Sequence, residues 1–376
     1  MKALLVGEFS GVHNNLADAL RQLGHTVHIA ATGDGYKQFP YDVYFADRAG
    51  KDNSFYKQLL KWRTKKLLRA NRNIFYDNDV IQFINPVFYV SDLLMLNIYA
   101  FNELLKHTKT TVLGAFGDDY VWVDACIKGL FRYDMVSENI KNHTPDEHLT
   151  DVLENIYSIP SKRVNHYIAN AVNGIVAGAY EYYAPYKQSD YSYKTSYIPF
   201  PVNVQSIEYT PNLIENGRIK ILLGKQKGRN SWKGMNVIEN TVQKFADRYP
   251  DDIEVFRAES LPFNQYKLLY KQANVVIDQL YSYSPAMNAL NALSAGKVVL
   301  GGGEKEMYSL LNEQSNFPIF NIRSSEEEII QVLNDLLDRR KYFEELGAAG
   351  RTFVENHHDH LLIAQMYIQH WQALNR

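Results

Sequence analysis

The chain has 376 residues, more than a single hydrophobic core normally serves, so we expect two domains. A formal net charge of -2 provides no overall attraction to nucleic acid. The single cysteine, Cys126, excludes an intramolecular disulfide and is typical of a reducing compartment. No apolar run approaches the ~20 residues of a membrane span, and the one at the N-terminus is too short for a signal peptide. We therefore expect a cytoplasmic protein.

Strand and helix patterns alternate along the first half of the chain. They predict strands at 2–6, 24–30, 43–45, 79–84, 111–115 and 174–177, a loop at 7–15, and helices at 16–23 and 164–172. Such alternation is typical of a parallel sheet with helices on both faces. The first loop, GEFSG, lacks the GxGxxG pattern of dinucleotide-binding domains.

A second α/β run follows the proline-containing segment 197–203, which we take as the domain boundary. Strands are predicted at 219–223, 253–256, 275–277 and 297–300, with helices at 235–248, 263–272, 325–346 and from 349 onward. Between the last two strands, we expect Ser284 to cap a short helix that Pro285 opens and Gly296 closes. Ligands bind at the carboxyl ends of parallel strands, so free N–H groups from Ser284 to Met287, including that of Ala286, suit a phosphate or a sugar hydroxyl.

The segment NALSAGKVV, which begins at Asn291, resembles the end of the donor-site helix in retaining glycosyltransferases of the GT-B fold. These form the large sucrose- and glycogen-synthase-like family, also called glycosyltransferase group 1 or family 4. Two glutamates of the family pattern are replaced here, by Tyr283 and by Asn291. An asparagine can still bind a ribose hydroxyl, whereas a tyrosine cannot accept as a carboxylate does.

The resemblance implies an α/β GT-B fold, in which two Rossmann-like domains with parallel sheets face a central cleft. The acceptor domain would comprise residues 1–200, joined by a returning C-terminal helix at 357–376. The donor domain would comprise residues 201–356. Leu361, Leu362, Gln365, Met366, Ile368 and Trp371 would supply the apolar contact of the returning helix.

A basic loop, GKQKGRNSWKG, follows the strand 219–223. The resemblance implies that Lys233 and a second cation, which is either Lys225 or Arg229, hold the donor diphosphate. A basic loop at a helix start is physically suited to that role. The alternative is a solvated basic surface loop.

The other candidate for donor contact is the turn Gly301-Gly302-Gly303-Glu304. Successive glycine N–H groups can face an anion, and the resemblance places Gly302, Gly303 and Glu304 against the donor phosphate and sugar, with Glu304 ahead of Glu306. The alternative is a tight connection that needs positive φ.

Candidates in the first domain are Gly11 and His13, in a loop that faces the cleft in this fold, and Asp118 and Asp119 beyond the strand 111–115. The aspartates are suited to binding sugar hydroxyls or assisting acceptor deprotonation. A surface histidine and an aspartate at a helix N-cap are the alternatives.

Two further clusters are notable. Residues 55–73 carry seven basic residues interleaved with Leu and Trp, which suits peripheral contact with an anionic membrane at its inner face or a solvated helix face. The run His357-His358-Asp359-His360 looks like a metal cluster, but we expect capping and surface roles for it.

The resemblance implies a glycosyltransferase that moves a sugar from a nucleotide-sugar to a glycan or lipid-linked acceptor in polysaccharide biosynthesis. The resemblance implies a retaining reaction without a metal or another cofactor. No nucleic-acid partner is expected. A non-catalytic GT-B-like nucleotide- or glycan-binding protein, and a sugar-nucleotide epimerase or hydrolase, are the alternatives.

Overall fold

The computed structural model describes residues 1–46, 54–89, 93–143 and 147–375. Seven parallel strands form the first sheet in the order β3-β2-β1-β4-β5-β6-β7. They are β1 (Lys2–Val6), β2 (Thr26–Ala31), β3 (Val43–Tyr44), β4 (Asn78–Phe83), β5 (Thr108–Ala115), β6 (Gly174–Ala177) and β7 (Thr195–Tyr197). The order of the strands reverses at β1, with β2 and β3 on one side and β4 to β7 on the other. This topology is typical of a Rossmann-like domain, whose ligands bind at the carboxyl ends of the strands.

Five further parallel strands form the second sheet in the order β12-β11-β10-β8-β9. They are β8 (Ile219–Lys225), β9 (Ile253–Glu259), β10 (Val275–Ile277), β11 (Val298–Gly301) and β12 (Ile319–Asn321). The two sheets confirm the predicted α/β architecture with two Rossmann-like units. We keep the division into 1–200 with 357–376, and 201–356, as a proposal.

Helices cover the two sheets. In the first part of the chain they are α1 (Val12–Gln22), α2 (Ser54–Ala70), α3 (Arg72–Phe75), α4 (Met95–Leu105), α5 (Tyr120–Ile127), α6 (Met135–Lys141), α7 (Glu147–Asp151), α8 (Ile159–Ala171) and α9 (Tyr180–Lys187). The remainder are α10 (Met235–Arg248), α11 (Phe263–Leu269), α12 (Met287–Ser294), α13 (Lys305–Leu310), α14 (Glu326–Asp338), α15 (Phe343–His357) and α16 (His360–Leu374). A π-helical turn (Val152–Ile156) follows α7.

Several helix starts differ from the sequence prediction, among them those of α1, α8 and α12. Helix α1 begins at Val12, four residues earlier than expected, because Gly11 adopts φ 88° and turns the chain directly into the helix. Helix α12 begins after Ala286, and Ser284 does not cap it. The Ser284 hydroxyl oxygen instead accepts a hydrogen bond from the backbone N–H of Tyr180, at 2.9 Å.

The last helix, α16, packs on α1 and so returns to the first sheet, as the resemblance implies. Asp359 caps it by accepting hydrogen bonds from the backbone N–H groups of Leu361 and Leu362. Its buried face consists of His360, Ile363, Ala364, Tyr367 and Trp371. The expected apolar contact is confirmed for Trp371, which is buried, and for Leu361, Met366 and Ile368, which pack against the core. It is wrong for Leu362 and Gln365, which are exposed.

No helix within the described ranges combines the length and apolar content needed to cross a membrane.

Candidate active site

A cleft of about 750 Å³ lies between the carboxyl ends of the two sheets. The first part of the chain contributes Ser10, Tyr36, Lys37 and Phe39. The second part contributes Lys225, Lys233, Ser260, Phe263, Tyr266, Asp278, Ala286, Met287, Asn288 and Asn291, among others. The lining combines aromatic rings with a few polar and charged groups, which is typical of small-molecule sites.

Lys233 is the central cation of the cleft. It lies immediately before Gly234, whose φ of 71° turns the chain into α10. Burial lowers the pKa of its ammonium from 10.5 to about 8, and the nearby Asp278 opposes that effect. The ammonium makes no side-chain hydrogen bond within the part of the chain that the structure describes. A partly buried cation of this kind is suited to an anionic ligand.

The structure separates the two candidates for the second cation. Lys225 lines the cleft, where its ammonium lies 2.8 Å from Glu239. Arg229 instead reaches away from the cleft, with its guanidinium 3.0 Å from Asp118 and 2.9 Å from the Nε2 atom of His148. Lys225 therefore joins Lys233 in the cleft, and Arg229 connects the basic loop to the first half of the chain.

Trp232, which sequence analysis did not single out, anchors the same loop. Its ring is fully buried and lies edge-on to Trp122 and His148, with centroids 6.3 and 4.8 Å away. The side chain of Asn139 donates a hydrogen bond to the Trp232 carbonyl oxygen, at 3.1 Å. A tryptophan inside a basic loop, two residues before a glycine, was the available signal. These contacts fix the position of Lys233.

The predicted start of the donor-site helix lies in the cleft. Ala286, Met287 and Asn291 line it, but Asp278 already occupies part of the helix start. One carboxylate oxygen of Asp278 accepts from the Ala286 N–H at 3.3 Å, and the other accepts from the side chain of Asn288 at 3.1 Å. The expectation that all N–H groups there are free is therefore wrong for Ala286.

Tyr283 lies outside the cleft, among aromatic side chains from both halves of the chain. Its ring stacks on Tyr133 and Tyr180, with centroids 5.0 and 5.3 Å away, and the Arg132 guanidinium lies 4.9 Å from the ring centre. Its hydroxyl oxygen accepts from the Arg132 backbone N–H at 2.9 Å. Tyr283 therefore holds the two halves together, and its expected position among the donor-contacting residues is wrong.

The glycine turn is closed by its own neighbours. Gly303 N–H donates to the side chain of Asn321, and Glu304 N–H donates to the carbonyl of Tyr283, both at 3.0 Å. A Cβ on Gly302 would lie 2.5 Å from the Ser282 hydroxyl, and none of the three glycines has positive φ. Close backbone packing explains the glycines. Both expectations, the open anion cradle and the positive φ, are wrong.

Glu304 is buried beneath that turn and fully paired. It accepts from Tyr133 at 2.7 Å, from Asn321 at 2.8 Å, and from Arg132 and Arg323, both at 2.9 Å. Burial raises the pKa of Glu304, but the hydrogen bonds from Tyr133, Asn321 and Arg323 outweigh it and leave the pKa lowered. With four partners, this carboxylate stabilises the junction between the two halves and does not face the cleft, contrary to its predicted donor contact.

In the first loop, the N–H groups that could face a ligand are likewise bonded to a carboxylate of the same loop. Glu8 accepts from the N–H groups of Gly11 and Asn14, at 2.9 and 2.8 Å, and burial raises its pKa to about 7. His13 is fully buried, and its Nδ1 atom donates to the Gly7 carbonyl at 2.7 Å. Burial lowers the pKa of His13 to about 4, so the imidazole is neutral. Neither Gly11 nor His13 lines the cleft, because α1 begins early and turns His13 inward.

The two aspartates have different surroundings. Asp119 caps α5 through the Trp122 N–H at 2.9 Å and also accepts from the Tyr186 hydroxyl at 2.7 Å. Burial raises its pKa to about 6. Asp118 lies 2.9 Å from His148, and that hydrogen bond and the charge of Arg229 outweigh the effect of burial and lower its pKa. Asp118 therefore stays ionised to lower pH than Asp119 does.

The side chains of the histidine-rich run 357–360 have different partners and lie in different surroundings. His357 lies 2.7 Å from Glu313, His358 Nδ1 donates to the Phe200 carbonyl, and His360 is fully buried. Capping by Asp359 is confirmed, whereas the expected surface position is wrong for His358 and His360, which are both buried. Among the described residues, no three His, Cys, Asp or Glu side chains are grouped to hold a metal ion.

The basic stretch forms α2 and α3, apart from the cleft. Leu60, Thr64 and Leu68 form the buried face of α2, whereas Trp62 is 58% exposed. Arg63, Lys65, Lys66, Arg69 and Arg72 are also exposed. The exposed surface of α2 is therefore both basic and aromatic.

Comparison with known proteins agrees with this geometry. Residues 228–368 match the model of a family described as Glycosyl transferase-like. Comparison with curated protein sequences finds no significant match.

Solved structures resemble the complete chain. Sucrose-phosphate synthase from Thermosynechococcus elongatus is 12% identical, with a TM-score of 0.63, and the alignment covers 99% of this chain and 98% of that one. Anabaena HepE in complex with UDP and glucose is 12% identical, with a TM-score of 0.62 and coverage of 99% and 100%. WaaG, a glycosyltransferase involved in lipopolysaccharide biosynthesis, is 13% identical, with a TM-score of 0.54 and coverage of 98% of both chains. At these identities the likeness establishes the fold.

The fold of the chain and the family pattern matched over residues 228–368 together support a GT-B glycosyltransferase of the group 1-like kind, and they confirm the resemblance predicted from sequence.

Proposed function

We propose that the protein transfers a sugar from a nucleoside diphosphate sugar, bound in the cleft, to a glycan or lipid-linked acceptor. The ammonium of Lys233 carries this proposal. It lies partly buried at the cleft without a hydrogen-bonded counter-ion among the described residues, beside the start of α10. A diphosphate supplies the negative charge that such a position requires.

The remaining cleft residues fit the other parts of a donor. Lys225 faces the diphosphate beside Lys233, and Asn291 binds a ribose hydroxyl through its amide. Ser260 and Phe263 follow β9 and line the end of the cleft suited to the nucleobase. HepE, whose structure contains UDP and glucose, is a precedent for this ligand class in the same fold.

We infer a retaining, metal-independent reaction. The two lysines would stabilise the charge that develops on the departing diphosphate, which is the task a metal ion otherwise performs. Both carboxylates near the acceptor side, Asp118 and Asp119, are already hydrogen-bonded. Their engagement favours a mechanism in which a donor phosphate oxygen takes the acceptor proton.

We also propose that α2 contacts an anionic membrane surface at its cytoplasmic face. Basic side chains and the exposed Trp62 share its surface, and such combinations bind anionic lipid headgroups. A lipid-linked glycan would then reach the enzyme from the same surface. Vesicles with and without anionic lipid provide the test, and equal binding to both would contradict the proposal.

Nucleotide binding tests the central proposal. UDP, GDP, ADP, dTDP and CMP are titrated without magnesium, and thermal unfolding is followed. A nucleotide at 100 times its dissociation constant stabilises the protein by about 2.7 kcal/mol. We expect one nucleotide to stabilise the wild type, the effect to weaken in Lys233→Ala, and the exposed control Lys341→Ala to behave as wild type. Stabilisation by none of them would contradict the proposal.

Measuring the consumption of the nucleotide-sugar distinguishes a transferase from an epimerase or hydrolase. Consumption of the matching nucleotide-sugar only when a glycan acceptor is present supports transfer. Equal consumption without acceptor would favour an epimerase or hydrolase.

A further inference from the structure

Asp278 is the acidic member of the cleft lining that the structure describes. It follows β10 directly and is 4% exposed, so its charge lies in a poorly solvated wall. One of its oxygens accepts from the Ala286 N–H at 3.3 Å, and the other accepts from the side chain of Asn288 at 3.1 Å. These two contacts fix the position of the carboxylate, and each oxygen retains capacity for a further hydrogen bond.

Main-chain contacts place Asp278 beside the cation that carries the donor proposal. Two residues beyond it, the N–H of Leu280 donates to the carbonyl of Lys233 at 3.0 Å. The charge of Asp278 raises the pKa of the Lys233 ammonium, against the larger lowering by burial, and it acts more strongly than Arg229 or Lys37. A phosphate that binds Lys233 therefore also meets the negative charge of Asp278, in surroundings where low solvent exposure strengthens the repulsion.

Helix α12 shows which end of a bound nucleotide lies near Asp278. Asn291, which we assign to the ribose, lines the cleft from the second turn of this helix. Ala286, whose N–H donates to Asp278, immediately precedes the first turn. Five helical residues span about 7.5 Å, which is comparable to the reach from a ribose to the second phosphate of a nucleoside diphosphate. Asp278 therefore lies at the terminal-phosphate end of the cleft.

The charge of the terminal phosphate differs between a nucleotide-sugar and the diphosphate that remains after transfer. In the free diphosphate this group carries about -1.5 to -2 charges at pH 7. In the nucleotide-sugar the same phosphate is esterified by the sugar, has no second ionisation and carries about -1. A carboxylate at this end therefore opposes the free diphosphate more strongly than the intact donor.

We propose that Asp278 is a specificity-determining residue that selects the intact nucleotide-sugar over the free nucleoside diphosphate. The proposal rests on the proposed transferase function and specifies how its donor site distinguishes substrate from product. Lys233 attracts both ligands, whereas Asp278 repels the additional charge of the product. After transfer of the sugar, the same repulsion assists release of the diphosphate and its exchange for a new donor.

The test compares UDP with its β-methyl ester by isothermal titration of the full chain at pH 7 without magnesium. The ester has the lower charge of a nucleotide-sugar but no sugar, so the two ligands differ at the terminal phosphate alone. Asp278→Asn removes the charge and keeps the shape of the side chain. We expect it to raise the affinity for UDP about tenfold relative to the affinity for the ester. If GDP, ADP or dTDP is the nucleotide that stabilises the protein, that diphosphate and its ester are used.

A second variant and a control separate charge from structure. Asp278→Ser also removes the charge, but its hydroxyl can still accept from a backbone N–H at the start of α12. It should change the ratio of the two affinities in the same direction. Asp251→Asn removes an equal charge from a side chain that is 97% exposed and outside the cleft lining, so it should leave the ratio unchanged. Loss of a merely structural contact would weaken both ligands equally.

The outcomes keep this proposal distinguishable from the proposed function. If a folded Asp278 variant binds both ligands with a ratio changed by less than about threefold, or changed in favour of the ester, the role of Asp278 is overturned and the donor site stands. If the wild type binds none of the diphosphates or esters, the donor site is contradicted, and the role of Asp278 with it.

Discussion

Replacing Lys233 by methionine should change stability and ligand affinity in opposite directions. Methionine retains most of the side chain's apolar length but removes the charge that burial disfavours. We therefore expect Lys233→Met to unfold at higher denaturant concentration than the wild type and to bind the donor nucleotide more weakly. Residues of a functional site often show this opposition.

The structure sets the size of both effects. A pKa lowered from 10.5 to about 8 corresponds to about 3 kcal/mol against the charged form, and partial solvent access reduces the expected gain to about 1–3 kcal/mol. Because the folded pKa lies below the unfolded one, the penalty is full below pH 8 and disappears as the pH rises toward 10.5. A charge-assisted hydrogen bond to phosphate contributes about 1.5–3 kcal/mol, so its loss weakens nucleotide binding about 10- to 100-fold.

Urea denaturation at pH 7 and at pH 10.5, with isothermal titration of the nucleotide at pH 7, measures both quantities. Lys341→Met is the control, because Lys341 is exposed and distant from the cleft lining. We expect the stability gain to shrink at the higher pH. Unchanged nucleotide affinity in a stable Lys233→Met protein would refute the assignment of Lys233 to the donor diphosphate.

Three further predictions follow from the same contacts. Nucleotide affinity should fall as the pH rises through about 8, because Lys233 of the nucleotide-free protein loses its proton there. Nucleotide titrations from pH 7 to 9 measure this. An affinity that does not change with pH would contradict it. Tyr283→Glu restores a family residue, but it should destabilise the protein by about 3 kcal/mol because the new carboxylate would be buried near Glu304. Urea unfolding measures this loss, with Tyr283→Phe as the control. Equal stability of the two variants would argue against it. Glu304→Gln should lower the free energy of unfolding by about 2–3 kcal/mol at pH 7 and by less at pH 3. The pKa of Glu304 in the folded protein is lowered below 4.5, so the stabilisation by the ionised carboxylate is lost as the carboxylate protonates. A loss that does not change with pH would contradict a stabilising role of the ionised carboxylate.

Most of the fold could be predicted from local patterns, but not the short edge strands β7 and β12. The bounds of β1, β6, β10 and α10 agree with the sequence predictions because buried strands and amphipathic helices leave clear periodicities. The start of α1 could not be placed, because it depends on Gly11 adopting positive φ against the ring of Phe39, a contact between separate segments. Helix α12 was misplaced for a related reason, since Ser284 bonds to Tyr180 from the other half of the chain.

The site was predicted less completely than the fold. Lys225, Lys233, Ala286, Met287 and Asn291 do line the cleft, because their spacing relative to strand ends determines their position. Local sequence could not show that Arg229, Tyr283 and Glu304 pair with residues more than 100 positions away. Such pairings depend on how the two halves meet, which no local pattern encodes.

The replacement of the first family glutamate by Tyr283 is consistent with a change in how the two halves of the chain are joined. Tyr283 lies in an aromatic cluster, next to Glu304, which Arg132 and Arg323 hold. A glutamate at position 283 would place a further carboxylate beside Glu304 and Glu306. Arg132 and Arg323 already pair with those carboxylates, so they would offset only part of the repulsion. The aromatic ring avoids that charge and adds packing between the halves. In the proposed transferase, donor recognition would therefore depend more heavily on Lys233 and on neutral groups such as Asn291 than the family pattern implies, which is why their removal is the sharpest test of the proposed function.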